Sequence, residues 1–136
     1  MATTLNPYLN FDGTTREAME FYREVFGGEL SIMTFGDMGT EGPQADGVMH
    51  SSLTAEGLTL MASDMPPGQA LEAGNNFGVS LSGDDEGELM GYWDKLSADG
   101  TVTVPMEKQM WGDSFGMCVD RFGTPWLVNI AGPPAS

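Results

Sequence analysis

Histidine occurs once in this 136-residue chain, at His50, within Val48-Met-His-Ser-Ser-Leu53. An unperturbed imidazole titrates near pH 6.5, roughly mid-range for biology, so a single one can serve as general base, as a hydrogen-bonding ligand contact, or as a satisfied structural group. No triad or metal-ligand spacing surrounds it. Asp64 can assist a base or cap a loop, and the Met-Pro-Pro that follows it favours the cap. Cys118 is the only cysteine, which rules out an internal disulfide and a cysteine-based zinc site in one chain. Its place in the alternating run Phe115 to Val119 reads as core rather than as a nucleophile. Met61, Trp111 and Phe115 can sandwich a flat ligand, although side chains of these types pack cores and interfaces more often.

The elements that must position these residues come in two similar sets. Asn6 to Phe11 reads as a strand, followed by Thr14-Thr-Arg-Glu17, which has capping-box spacing. Ala18, Phe21, Tyr22, Val25 and Phe26 then recur at helical spacing, and Gly27-Gly28 supplies a left-handed stop. Strands follow near Glu29 to Phe35, Val48 to Ala55 and Leu58 to Ser63, the last two joined by a turn at Glu56-Gly57. The pattern then restarts. Asn76 to Ser82 reads as a strand, and Asp85 with Glu88 caps a helix whose face is Leu89, Tyr92, Trp93 and Leu96, with Gly91 in its interior and Gly100 as its stop. Strands near Thr101 to Gln109, Ser114 to Asp120 and Trp126 to Ala131 complete it. Asp37 to Gly47 and Asp64 to Asn75 are loops, the second long enough for a flap, and the tail from Gly132 to Ser136 should fray.

Alternation divides the strands into two faces. Leu9 and Phe11, Met49, Ser51 and Leu53, Leu58, Leu60 and Ala62, Phe77, Val79 and Leu81, and Trp126, Val128 and Ile130 form the helix-facing set. The opposite face holds Asn6, Tyr8, Asn10, Val48, His50, Ser52, Thr59, Met61, Ser63, Asn76, Gly78, Ser80, Ser82, Leu127 and Asn129. It has almost no Lys, Arg or Glu, a composition that suits either a cleft for a small, partly apolar ligand or burial against a partner subunit.

Twenty acidic residues oppose five basic ones, a net charge of −15. A surface of this sign repels nucleic-acid phosphates and anionic lipid, so neither is an expected partner. No run approaches the roughly 20 apolar residues of a membrane helix, and no signal-peptide pattern opens the chain, which makes a cytoplasmic protein the expectation. The acidic residues are dispersed as on a solvated surface.

The duplicated layout resembles the vicinal-oxygen-chelate superfamily of glyoxalase I, extradiol dioxygenases and bleomycin- and fosfomycin-resistance proteins. The resemblance spans nearly the whole chain and rests on Ala18-Met-Glu-Phe-Tyr-Arg-Glu-Val-Phe-Gly-Gly28 and Asp120-Arg-Phe-Gly-Thr-Pro-Trp126. The sequence is similar in particular to the PhnB-like branch, which is often labelled 3-demethylubiquinone methyltransferase. The stretches that carry this are Asn6 to Phe11, Phe35-Gly-Asp37, His50, Leu60 to Met65, Trp111 to Gly116 and Asp120 to Asn129. Nothing in the chain resembles the glycine-rich turn of a nucleotide-fold methyltransferase.

The resemblance implies an α+β fold of two βαβββ modules, a curved mixed sheet around a cleft with helices outside. It makes residues 1–136 a single domain, with module one at about 5–64, a loop at 65–75 and module two at about 76–131. Metal-dependent members place His, Gln or Glu on the first, fourth, fifth and eighth strands. Here those places fall to Asn6 or Tyr8, Met61 or Ser63, Asn76, and Leu127 or Asn129, so no metal and no cofactor is expected. Tyr8, Asn10, His50, Ser52, Met61, Ser63, Asn76, Trp111, Phe115 and Asn129 are the candidate ligand contacts, with His50 the candidate catalytic group. A small-molecule-binding protein is the leading expectation. A lyase, isomerase or dioxygenase-like enzyme with a metal or a His50 base is one alternative, and a sequestering protein is another. Relatives pair across a two-fold axis, so a homodimer is expected, with or without exchange of modules.

Overall fold

The computed structural model describes residues 3–132 apart from 44, 67, 73 and 75. All but the first residue of the expected fraying tail, and part of the expected flap, fall outside the described residues. Two compact units divide the chain, residues 1–73 and 74–136. Each holds four strands and one main helix.

In the first unit β1 (Tyr8–Phe11) leads into α1 (Thr15–Phe26), then β2 (Glu29–Thr34), β3 (Val48–Ala55) and β4 (Leu58–Asp64). The sheet order is β1-β4-β3-β2, with β1 parallel to β4 and the other pairs antiparallel. The second unit repeats this with β5 (Val79–Gly83), α2 (Glu86–Ser97), β6 (Thr101–Lys108), β7 (Ser114–Val119) and β8 (Pro125–Ile130), in the order β5-β8-β7-β6. The βαβββ repeat read from the sequence is therefore the fold, as two open four-stranded sheets. Among the described residues no helix is long and apolar enough to cross a membrane.

Each helix covers one face of its own sheet. Ala18, Met19, Tyr22 and Val25 of α1 are buried with Leu9, Phe11, Leu53, Leu60 and Ala62, and Leu89, Trp93 and Leu96 of α2 with Trp126, Val128 and Ile130. Full burial of large apolar side chains stabilises by about 1.5–3 kcal/mol each. Met19, rather than Phe21, completes the α1 stripe. The buried set Thr15, Ala18, Met19, Tyr22 and Val25 defines a line that leaves Phe21 on its flank, its ring tilted against Tyr22. In the second unit Gly116 lies within β7, where an added Cβ would strike the Trp93 ring and the Met106 backbone. The absent side chain lets the indole seat directly on the sheet.

Four local expectations are corrected. Thr14 makes no capping hydrogen bond, so the Thr14–Glu17 box does not form. The left-handed residue after α2 is Asp99, while Gly100 is required by the closeness of Val119 and Asp120. The fifth strand begins at Val79 and not at Asn76, which leaves Phe77 outside it and 56% exposed. A bulge in β3 pairs Met33 with His50 but Thr34 with Val48, making Met49 the extra residue. Val48 therefore turns into the core and Met49 does not, the reverse of strict alternation.

Candidate functional site

The face of the first sheet turned away from α1 can be read row by row from the register. Tyr8 lies beside Met61, Met61 beside Ser52, and Ser52 beside Ser31. The next row runs from Asn10 to Ser63 and, across β3, from His50 to Met33. The bulge sets this second row, because it brings Met33 rather than Thr34 against His50. Across the face, the Tyr8 hydroxyl lies 3.3 Å from His50 Nδ1, and the two rings stack with centroids 5.9 Å apart and planes 29° from parallel. Two residues 42 positions apart thus make one polar, aromatic unit. Ser63 Oγ donates to Asn10 Oδ1 at 3.3 Å beside it. Tyr8 is 45% exposed and Met33 41%, so ring and thioether are open to an occupant.

Charge is absent from this centre. The four strands of the first sheet contain no Lys or Arg, and their two carboxylates are Glu29, at the start of β2, and Asp64. Asp64 is committed elsewhere. It is 8% exposed and accepts from Thr15 N at 3.1 Å, Thr15 Oγ1 at 2.6 Å and Val48 N at 2.8 Å. This carboxylate caps α1 from a distant strand, the role Thr14 does not fill.

The corresponding face of the second sheet holds the row Ser80, Leu127, Met117 and Val104 and the row Ser82, Asn129, Phe115 and Glu107. Its polar anchor is Asp113, which accepts from Asn129 Nδ2 at 3.0 Å and Gly132 N at 2.9 Å. The Gly132 amide and then the Asn129 side chain hold the Asp113 carboxyl below the usual carboxylate range. Trp111 sits on the turn beside it, 64% exposed next to a fully exposed Met110. Trp111-Gly112 is in the turn, but Phe115-Gly116 belongs to β7.

The structure thus gathers Tyr8, Asn10, His50, Ser52, Met61 and Ser63 on one sheet face, and Phe115 and Asn129 on the other sheet. Asn76 precedes β5, whose open-face positions are Ser80 and Ser82. Sequence reasoning did not name Met33, which the bulge places against His50, or Asp113, whose partners lie 16 and 19 residues away. Cys118 is buried, and burial pushes its thiol up to about 11, with the nearby Asp120 charge adding to the shift. It is a core side chain, not an activated nucleophile.

A separate concavity of about 460 Å3 opens at the start of α1, lined by Asp12, Arg16, Phe35, Asp46, Met65 and Gln69 among others. Asp64 also lines it, but none of the ten candidate ligand contacts does.

The fold is that of the vicinal-oxygen-chelate superfamily. The fosfomycin resistance protein FosX of Listeria monocytogenes, solved as a point mutant with manganese(II) and 1S,2S-dihydroxypropylphosphonic acid, matches with a TM-score of 0.63 over 96% of this chain and 94% of that one, at 14% identity. A nearer structure is protein PA1353 from Pseudomonas aeruginosa, with a TM-score of 0.88, 35% identity and coverage of 96% and 98%. Protein YjdN of Escherichia coli is 30% identical over 93% of this chain and 94% of its own length. The sequence profile of the 3-demethylubiquinone-9 3-methyltransferase family matches residues 3–129, and the chain belongs to that family, the PhnB-like branch.

A divalent ion of the kind FosX holds does not fit these residues. The open-face positions on β1, β4, β5 and β8 are Tyr8 and Asn10, Met61 and Ser63, Ser80 and Ser82, and Leu127 and Asn129. Neither sheet offers a carboxylate or imidazole there, and hydroxyl, amide and thioether groups hold a first-row divalent ion poorly. Among the described residues no three His, Cys, Asp or Glu side chains gather as metal ligands would.

Proposed function

We propose that this protein binds a small organic molecule on the open face of its first sheet, without a divalent metal ion. The Tyr8–His50 pair on an otherwise uncharged face carries the proposal. It offers a hydroxyl and an imidazole nitrogen with ring faces beside them, while Met33 and Met61 provide adaptable apolar floor. Methyl transfer, the activity in the family's name, is not part of the proposal. The strand-to-helix turns Asp12-Gly13-Thr14 and Asp84-Asp85 carry no glycine-rich phosphate-binding fingerprint.

A second reading, a metal-independent lyase or isomerase, rests on the same pair, since Tyr8 can hold the His50 ring for use as a base. Sequestration of a metabolite or antibiotic needs the same face without turnover. We further propose a cytoplasmic homodimer; the pairing is supported by the exposed Met38, Met110 and Trp111 side chains, which gain from cover.

Screening a compound library by its effect on the imidazole proton signals of the single histidine tests the proposal. Binders are expected that shift these signals in the wild type and lose at least about ten-fold in affinity, roughly 1.4 kcal/mol, in Tyr8→Phe. Binders that leave the imidazole untouched and bind Tyr8→Phe equally well contradict it. A reaction that persists unchanged in His50→Ala removes the base reading.

A further inference from the structure

We infer that the molecule taken by the first sheet's open face carries no negative charge, and is a neutral, flat compound with an edge that both donates and accepts hydrogen bonds. This rests on the ligand-binding reading above.

None of the five cationic side chains belongs to the first sheet's strands. Arg16 and Arg23 are on α1, Lys95 is on α2, Lys108 ends β6 and Arg121 is in the turn between β7 and β8. The backbone N–H groups of β4 and β3 are engaged by neighbours on both sides, and strand amides lie along the sheet rather than out of its face, so no nest of free amides substitutes for a cation. An anion set down there would lose hydration with no opposite charge from the sheet's own strands to replace it, on a chain whose net charge is −15. The phosphonic acid in the FosX structure is accompanied by manganese(II), and this face has the ligands for neither.

What the face offers instead is two stacked rings and two thioethers around one polar point. The Tyr8 hydroxyl and His50 Nδ1 occupy one another, so the valences left are those of the Tyr8 oxygen and His50 Nε2, one able to donate and the other to accept in either tautomer, which match a hydroxyl, amide or ring N–H edge. Thioether and ring faces match a flat apolar body.

The test uses two probes of the same ring size, 2-naphthol and 2-naphthalenesulfonate, near pH 8, where a phenol-type hydroxyl keeps its proton. Both are titrated while the imidazole protons of His50, the chain's only histidine, are followed by NMR. 2-Naphthol is expected to shift them saturably, and the sulfonate to bind at least ten-fold more weakly. Met33→Lys, which places a cation on the half-exposed neighbour of His50, is expected to narrow that gap about ten-fold, with Ser31→Lys as the replacement should the first variant fail to fold. Equal binding of the sulfonate to the wild type overturns the inference and leaves the face reading standing. If neither probe moves the His50 signals, the face reading itself is overturned, and the inference with it.

Discussion

Each half of the molecule is secured by one buried aspartate, and the two work over different distances. Asp64 ties the start of α1 to β3 and β4, with partners 49 and 16 residues away. Asp120 closes its own turn, accepting from Phe122 N at 2.8 Å, Thr124 N at 3.1 Å and Trp126 Nε1 at 2.8 Å. The helix it accompanies is capped locally instead, by the Asp85 carboxylate on Glu88 N at 3.0 Å. The start of the helix is thus tied by a distant strand in the first half and by its own first turn in the second, where the longer ties are those of Asp113 to Asn129 and Gly132. The open faces differ in parallel. Where the first has Tyr8, His50 and Ser52, the second has Ser80, Phe115 and Met117 at matching positions, so the polar pair exists once. Duplication explains the scaffold, and divergence of a few side chains explains why one sheet carries the candidate site.

Removing Asp64 should have the largest effect. Asp64→Ala strands two buried amides and a hydroxyl, and urea unfolding is expected to show a loss of about 3 kcal/mol. Asp120→Ala should cost about 2 kcal/mol by the same measurement, because Phe122 N is only part-buried and can turn to water. A reversed order would break the contrast between long-range and local ties.

Gly91→Ala sharpens the comparison from the other side. A Cβ there meets open space, so α2 should gain about 0.5–1 kcal/mol in the same unfolding experiment. The smallest effect concerns acid. The Asp113 carboxyl is held below its ordinary range in the folded protein, so its ties to Gly132 and Asn129 are complete above an ordinary carboxylate pKa and are lost as pH falls through the lowered value. The Gly132 amide signal should therefore stay constant on acidification until below pH 3.8, the unshifted value, and move only there.

The second half was the more legible in its helix cap and last turn, because Asp85, Glu88 and the run Asp120 to Trp126 act within a few residues of one another, while its Asp113 ties, 16 and 19 residues long, were not legible. In the first half, local spacing pointed to Thr14 for a cap that Asp64 supplies across the fold. Alternation assigned Leu9, Phe11, Trp126, Val128 and Ile130 to the core as found, but it had no means of registering the extra residue at Met49. The second half had its own miss, since the apolar Phe77 extended a strand that pairing begins only at Val79. Tyr8 and His50 were both named as candidates from residue type and face. Their contact was not legible, because a reach across β4 depends on side-chain geometry that strand periodicity does not contain.

The most direct measurement is native mass spectrometry of protein purified without chelator, with and without added manganese, zinc, nickel and iron. The expected result is a mass unchanged by any of the metals, and a small-molecule adduct that the wild type retains and His50→Ala loses. One tightly held divalent ion per chain would contradict the account and return a metal centre to first place.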